Sequence, residues 1–111
     1  MSAILEPPTF TCHVEPDRAR VRVVLAGELD LATVEPLERE VRSLLDRGFR
    51  WILLDLRGLT FLDSSGLRYV LDLHRAASDV GFRLELVHGA NVRRIFELSG
   101  TLEALPFVAA P

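Results

Sequence analysis

Residues Trp51–Arg68 read WILLDLRGLTFLDSSGLR. The first six, WILLDL, form an apolar run of strand length, the pattern of a central strand covered on both faces. Asp63, Ser64 and Ser65 then interrupt the apolar pattern. From Ser65 onward, Leu67, Val70, Leu71, His74 and Ala77 recur on one helical face, which Leu73 widens and Gly81 closes. A covered strand that passes through a polar turn into an amphipathic helix predicts an α/β fold.

Upstream, TFTCHVE alternates, putting Phe10, Cys12 and Val14 on one face of an edge strand. After a turn at Pro16-Asp17, RVRVVLAG gives a second strand with Val21, Val23 and Leu25 facing one way and Arg20 and Arg22 the other. The short separation predicts a hairpin whose second strand stops at Gly27. From Thr33, an N-cap residue by type, Val34, Leu37, Val41, Leu44 and Leu45 recur at helical spacing; Pro36 falls in the first turn and Gly48 supplies the stop. Downstream, RLELV alternates as a strand, and Asn91 caps a third helix with Val92, Ile95 and Phe96 inside, ending at Gly100. The tail TLEALPFVAAP is expected to add a last helical turn and an extended end.

The expected fold is therefore a small, single-domain α/β structure. It has a mixed sheet of four or five strands, an N-terminal hairpin followed by parallel strands, with helices packed on it through right-handed crossovers. Residues 1–8 read as a flexible N-terminal segment and residues 9–111 as the domain.

Composition narrows the function. The chain has 111 residues, enough for one core; 49% are hydrophobic and 26% charged, the balance of a globular protein. No stretch approaches the roughly 20 apolar residues of a membrane-spanning helix, so direct membrane insertion is not expected. The N-terminus lacks a secretory pattern and Cys12 is the one cysteine, which points to the cytoplasm. The net charge is −3 and the arginines are scattered apart from Arg93-Arg94, so nucleic acid is not an expected partner. All 13 basic residues are arginine, which excludes chemistry that needs a lysine.

Three readings of Asp63-Ser64-Ser65-Gly66 compete. Asp and Ser are ordinary N-cap residues at a strand-to-helix turn. A nucleophilic Ser64 or Ser65 would need the glycine-flanked elbow of hydrolases and a base, whereas neither serine has both glycines and His13, His74 and His88 supply no evident partner. No metal-ligand spacing and no cofactor motif is present, and no catalytic residue is assigned. Third, a serine at a helix N-terminus can carry a phosphoryl group, because free N–H groups and the positive end of the helix dipole tolerate the charge.

The segments GELDLAT (Gly27–Thr33), LLDLRGLTFLDSSGLR (Leu53–Arg68) and VRRIFELSG (Val92–Gly100) resemble the bacterial anti-sigma-factor antagonists of the STAS domain family, in this order and over roughly Phe10–Phe107. The resemblance implies a binding module and not an enzyme. It implies that Ser65 is the phosphoacceptor, that the unphosphorylated form binds an anti-sigma factor that is also a serine kinase, that phosphorylation weakens that complex, and that a protein phosphatase restores it. Glu28, Asp30, Asp63, Ser64, Ser65, Gly66 and Arg68 are the implied partner surface, with Arg57, Thr60, Phe61 and Leu62 beside it. Relatives with similar loops include accessory subunits of lipid ABC-type transport complexes, an alternative role in which the serines would be caps or contact residues without turnover.

Overall fold

The alternating N-terminal sequence folds into an antiparallel hairpin, β1 (Phe10–Asp17) and β2 (Arg20–Leu29), in a computed structural model that describes residues 9–110. The segment expected to be flexible, residues 1–8, lies outside the described residues. The hairpin turn is Arg18-Ala19, not Pro16-Asp17. Pro16 pairs with Val21 and Asp17 with Arg20, and Arg18 takes the corner with φ 58°. Pro16 is tolerated in the strand because β1 is an outer strand, where an imino nitrogen can sit without breaking a ladder.

Nor does β2 stop at Gly27. That residue takes φ 94°, and a Cβ there would lie 2.1 Å from the Thr9 carbonyl oxygen, so glycine is required by close approach as well as by conformation. The next N–H, of Glu28, donates to the same Thr9 oxygen at 2.7 Å, and pairing resumes to Leu29.

Strand β3 (Trp51–Leu62) is central, pairing in parallel with β2 on one side and with β4 (Arg83–Val87) on the other. It is 12 residues long, twice the WILLDL run. The register explains why periodicity misses its second half: Val24 pairs with Asp55 but Ala26 with Gly58, and Gly27 pairs with Leu59 but Glu28 with Phe61. Two bulges on β3 shift its side chains between faces, so no period of two survives in the sequence.

The helices are α1 (Val34–Asp46), α2 (Ser64–Val80) and α3 (Ala90–Leu98). The sheet has four strands in the order β1-β2-β3-β4. The tail makes one helix-type turn at residues 101–105, with the Leu105 N–H donating to the Thr101 carbonyl at 3.1 Å, and then runs extended beside β4 through a single bridge, Phe107 to Leu86. One sheet face carries Val21, Val23 and Leu25, then Ile52, Leu54 and Leu56, then Leu84 and Leu86, all buried. Leu37, Val41 and Leu44 of α1, Val70, Leu73 and Ala77 of α2, and Val92 and Phe96 of α3 complete this core.

Four local readings are corrected. His74 is exposed; the inner face of α2 runs Gly66, Val70, Leu73, Ala77. Strand β4 buries four consecutive residues, including Glu85, which accepts the Trp51 indole N–H at 2.6 Å and pairs with Arg83 at 3.1 Å. Thr33 occupies the N-cap position of α1 without a capping bond, and Asn91 lies inside α3, which starts after Gly89 with no side-chain cap.

Candidate functional site

The ends of β2 and β3 meet the start of α2, and Asp63 joins them. Its backbone is extended (φ −96°, ψ −175°), as an N-cap requires, and its N–H donates to the Leu29 carbonyl at 3.2 Å. One carboxylate oxygen, Oδ1, accepts the Gly66 N–H at 3.0 Å; the other, Oδ2, accepts the Leu31 N–H at 3.3 Å. A single side chain therefore caps α2 and anchors the β2–α1 loop. The capping role belongs to Asp63, which leaves Ser64 and Ser65 free of it.

Gly66 fits where nothing larger does. A Cβ would meet the Leu62 side chain at 2.5 Å and the Leu29 carbonyl at 2.8 Å, so α2 starts pressed against the last residues of β2 and β3. This packing orients the two preceding residues. Ser64 is exposed, while Ser65 is half-buried and faces a groove lined by Leu31, Val34, Glu35, Glu38, Arg39 and Arg42. Being the second residue of α2, Ser65 sits among N–H groups that lack helical acceptors.

The loop before α1 is a rigid turn. Asp30 Oδ1 accepts the Ala32 N–H (3.0 Å) and the Thr33 hydroxyl (3.2 Å), while the Thr33 hydroxyl oxygen accepts the Asp30 N–H (2.9 Å) and lies 2.8 Å from the Glu28 carbonyl. Asp30 is thus occupied by turn chemistry, and Glu28 beside it is exposed. The turn fixes Leu31 outward, 79% exposed, in the same groove as Ser65.

Other residues near the motif separate into distinct roles. Phe61 is 47% exposed and Leu62 is core. The Thr60 hydroxyl donates to the Gly27 carbonyl at 3.3 Å. Arg57 turns away to clamp Asp55, with Nη2 to Oδ2 at 2.7 Å. Arg68 is exposed and lies 3.6 Å from Asp72, one turn further along α2, so it does not fold back toward Asp63. Sequence reasoning missed Leu31, Glu35, Glu38, Arg39 and Arg42. The available signal was the crossover itself, because helices that link neighbouring parallel strands the same way lie side by side.

Two further groups have shifted ionisation. Burial, and then the charge of Glu40, pushes the Cys12 thiol up to about 11. Burial also raises the Tyr69 phenol, helped by the charges of Glu38 and Cys12 and opposed by Arg42. Both groups are therefore neutral near pH 7, and neither is an activated nucleophile. Among the described residues no group of three or more His, Cys, Asp or Glu is placed to hold a metal ion, and no helix is long and apolar enough to cross a membrane.

This arrangement has relatives. Residues 12–106 match the family described as Mlab, STAS domain. The chain is 37% identical over 83 residues to the putative anti-sigma factor antagonist BtrV of Bordetella bronchiseptica, covering 74% of this chain and 72% of that protein. Its fold matches an anti-sigma factor antagonist from Mycobacterium paratuberculosis at TM-score 0.75 and 25% identity, over 96% of this chain and 92% of that one. The anti-sigma factor antagonist SpoIIAA matches in its unphosphorylated form at TM-score 0.71 and 28% identity, over 89% of each chain. The phosphorylated form of SpoIIAA, a Bacillus cell fate determinant, matches at TM-score 0.67 and 27% identity, over 89% of this chain and 92% of that one. With the family match running over residues 12–106 and the fold in agreement over nearly the whole length, the chain belongs to the STAS domain family.

Proposed function

We propose that the protein is an anti-sigma-factor antagonist that acts in the cytoplasm and whose binding is switched off by phosphorylation of Ser65. The unmodified chain binds an anti-sigma factor through the surface formed by Glu28, Asp30, Leu31 and the start of α2, releasing a sigma factor. The anti-sigma factor doubles as a serine kinase, and a protein phosphatase reverses the modification. In the transfer, Ser65 Oγ bonds to the terminal phosphorus of ATP as the bond to ADP breaks, and a base of the kinase takes the hydroxyl proton. The chain itself is substrate and binding module, not catalyst.

The observation that carries this reading is the division of labour at the start of α2: Asp63 makes the cap and the loop anchor, and Ser65 lines an open groove. A phosphoryl group can be added without removing a bond that holds the fold. It introduces about −1.5 to −2 charges at the centre of a docking surface. A penalty of roughly 3 kcal/mol for desolvating that dianion against a partner lowers affinity by about two decades.

Incubation of the purified protein with ATP and the anti-sigma kinases of its own genome tests the reading. One phosphate is expected, located at Ser65 by mass spectrometry and lost in Ser65→Ala. Modification that persists in Ser65→Ala, or none with any kinase, contradicts it. Phosphatase-insensitive copurification with a membrane ABC-type ATPase would instead support a constitutive transport subunit.

A further inference from the structure

We infer that Arg39 and Arg42 of α1 bind the phosphate carried by Ser65 through charge-assisted hydrogen bonds, an inference that rests on the phosphorylation reading above and names what happens after the modification. Both guanidinium-bearing side chains line the groove that Ser65 faces, together with Glu35 and Glu38. In the unmodified chain Arg39 pairs with Glu35 at 2.9 Å and Arg42 with Glu38, each one turn back on the same helix. The two arginine side chains are 64% and 65% exposed, so these are solvent-screened pairs of the weakest kind.

A phosphate changes the competition. It carries nearly twice the charge of a carboxylate and three acceptor oxygens, and guanidinium binds such a group bidentately. The arginines exchange a weak acceptor for a stronger one without moving the backbone of α1. Glu35 and Glu38 then lose their partners, and the negative patch spreads from Ser65 along α1. A partner that docks across the groove meets two uncovered carboxylates as well as the phosphate.

The charges around the phosphate act in both directions. Glu35 and Glu38 on α1, Asp63 at the cap of α2 and Asp30 in the β2–α1 loop hold its second proton on; Arg39, Arg42 and the N-terminus of α2 drive it off. Arg68 is engaged with Asp72. The change in the second phosphate pKa when the two arginines are removed therefore reports on them.

The test uses the full chain with phosphoserine inserted at position 65 during translation, so no kinase is needed and the outcome is separate from the kinase assay. Phosphorus NMR titration should place the second pKa below the usual value of about 6, and Arg39→Gln with Arg42→Gln should raise it by about half a unit or more. Arg39→Lys with Arg42→Lys should retain most of the lowering, and phosphoserine at position 64 should be insensitive to the Gln substitutions. A titration curve unchanged by the Gln substitutions, or an equal response from position 64, overturns the inference while leaving phosphorylation of Ser65 intact. Amide NMR spectra verify that the variants are folded, with Arg42→Gln alone as the milder form.

Discussion

Asp55 and Asp63 lie eight positions apart on the same strand and its exit, yet they are held in opposite ways. Asp55 is 2% exposed and closed off mainly by side chains: Arg57 Nε reaches Oδ1 at 2.9 Å and Nη2 reaches Oδ2 at 2.7 Å, Arg22 lies 3.7 Å away, and the Arg57 backbone N–H adds one bond at 3.1 Å. Asp63 is held by backbone N–H groups from two different segments, Gly66 and Leu31, with no arginine in its first ring of contacts. The first arrangement neutralises a charge inside the sheet. The second uses a charge to position a helix and a loop, and leaves the neighbouring hydroxyls available. One carboxylate is thus buried in an arginine clamp, and the other ties a helix start to a loop.

Removing Asp55 should have the larger effect on folding. Asp55→Ala abolishes several charge-assisted bonds and leaves Arg57 without its carboxylate, while Arg22 keeps Glu15 at 2.6 Å, and about 3 kcal/mol of unfolding free energy should be lost in urea titration. Binding of the anti-sigma factor should be unchanged by whatever fraction remains folded. Gly66→Ala should come next, at about 2 kcal/mol, because the new Cβ overlaps Leu62 and the Leu29 carbonyl. This variant also tilts α2 and should impair binding. Asp63→Ala should cost only about 1 kcal/mol, the usual value for a lost N-cap, while weakening partner binding more than its stability effect accounts for. If Asp63→Ala proves as destabilising as Asp55→Ala and spares binding, the contrast between the two residues is wrong.

Acid sharpens the same contrast. Burial alone would raise the Asp55 carboxyl, but hydrogen bonds from the Arg57 side chain and backbone, with the charges of Arg57 and Arg22, outweigh it and the net shift is downward. A lowered folded-state pKa contributes stability that is present above the unfolded value of about 3.9 and disappears as pH falls through the folded value. The stability gap between wild type and Asp55→Asn should accordingly be full at pH 7 and close below about pH 4. The smallest effect concerns Cys12, whose thiol is raised to about 11. A thiol reagent at pH 7 should label it slowly in the folded protein and rapidly in urea.

Much of this was legible in the sequence because burial writes a period. The order of strands and helices, the inward Val21, Val23 and Leu25, and the start of α2 at the Asp63 motif all follow from spacing. The second half of β3 was not legible, because the two bulges destroy its alternation. The hairpin corner was misplaced since Pro16 and Asp17 are turn residues by type, while the edge of the sheet accommodates them and Arg18 adopts the positive φ. Thr33 and Asn91 are cap residues by type whose hydroxyl and amide are not used for capping; Thr33 is engaged by Asp30 and Glu28. The motif residues could be named from their resemblance, but the far wall of the groove could not. Leu31 comes to Ser65 on the β2–α1 loop that Asp63 anchors, and Arg39 and Arg42 through the packing of α1 beside α2, which the crossovers imply without fixing which residues of the two helices face each other.

Calorimetric titration of one anti-sigma factor against the unmodified chain and against the chain carrying phosphoserine at position 65 tests the account most directly. The phosphorylated chain should bind about 100-fold more weakly, with its melting temperature and amide spectrum outside the groove preserved. Equal affinities for the two forms, or a loss of binding accompanied by unfolding of α2, would contradict it.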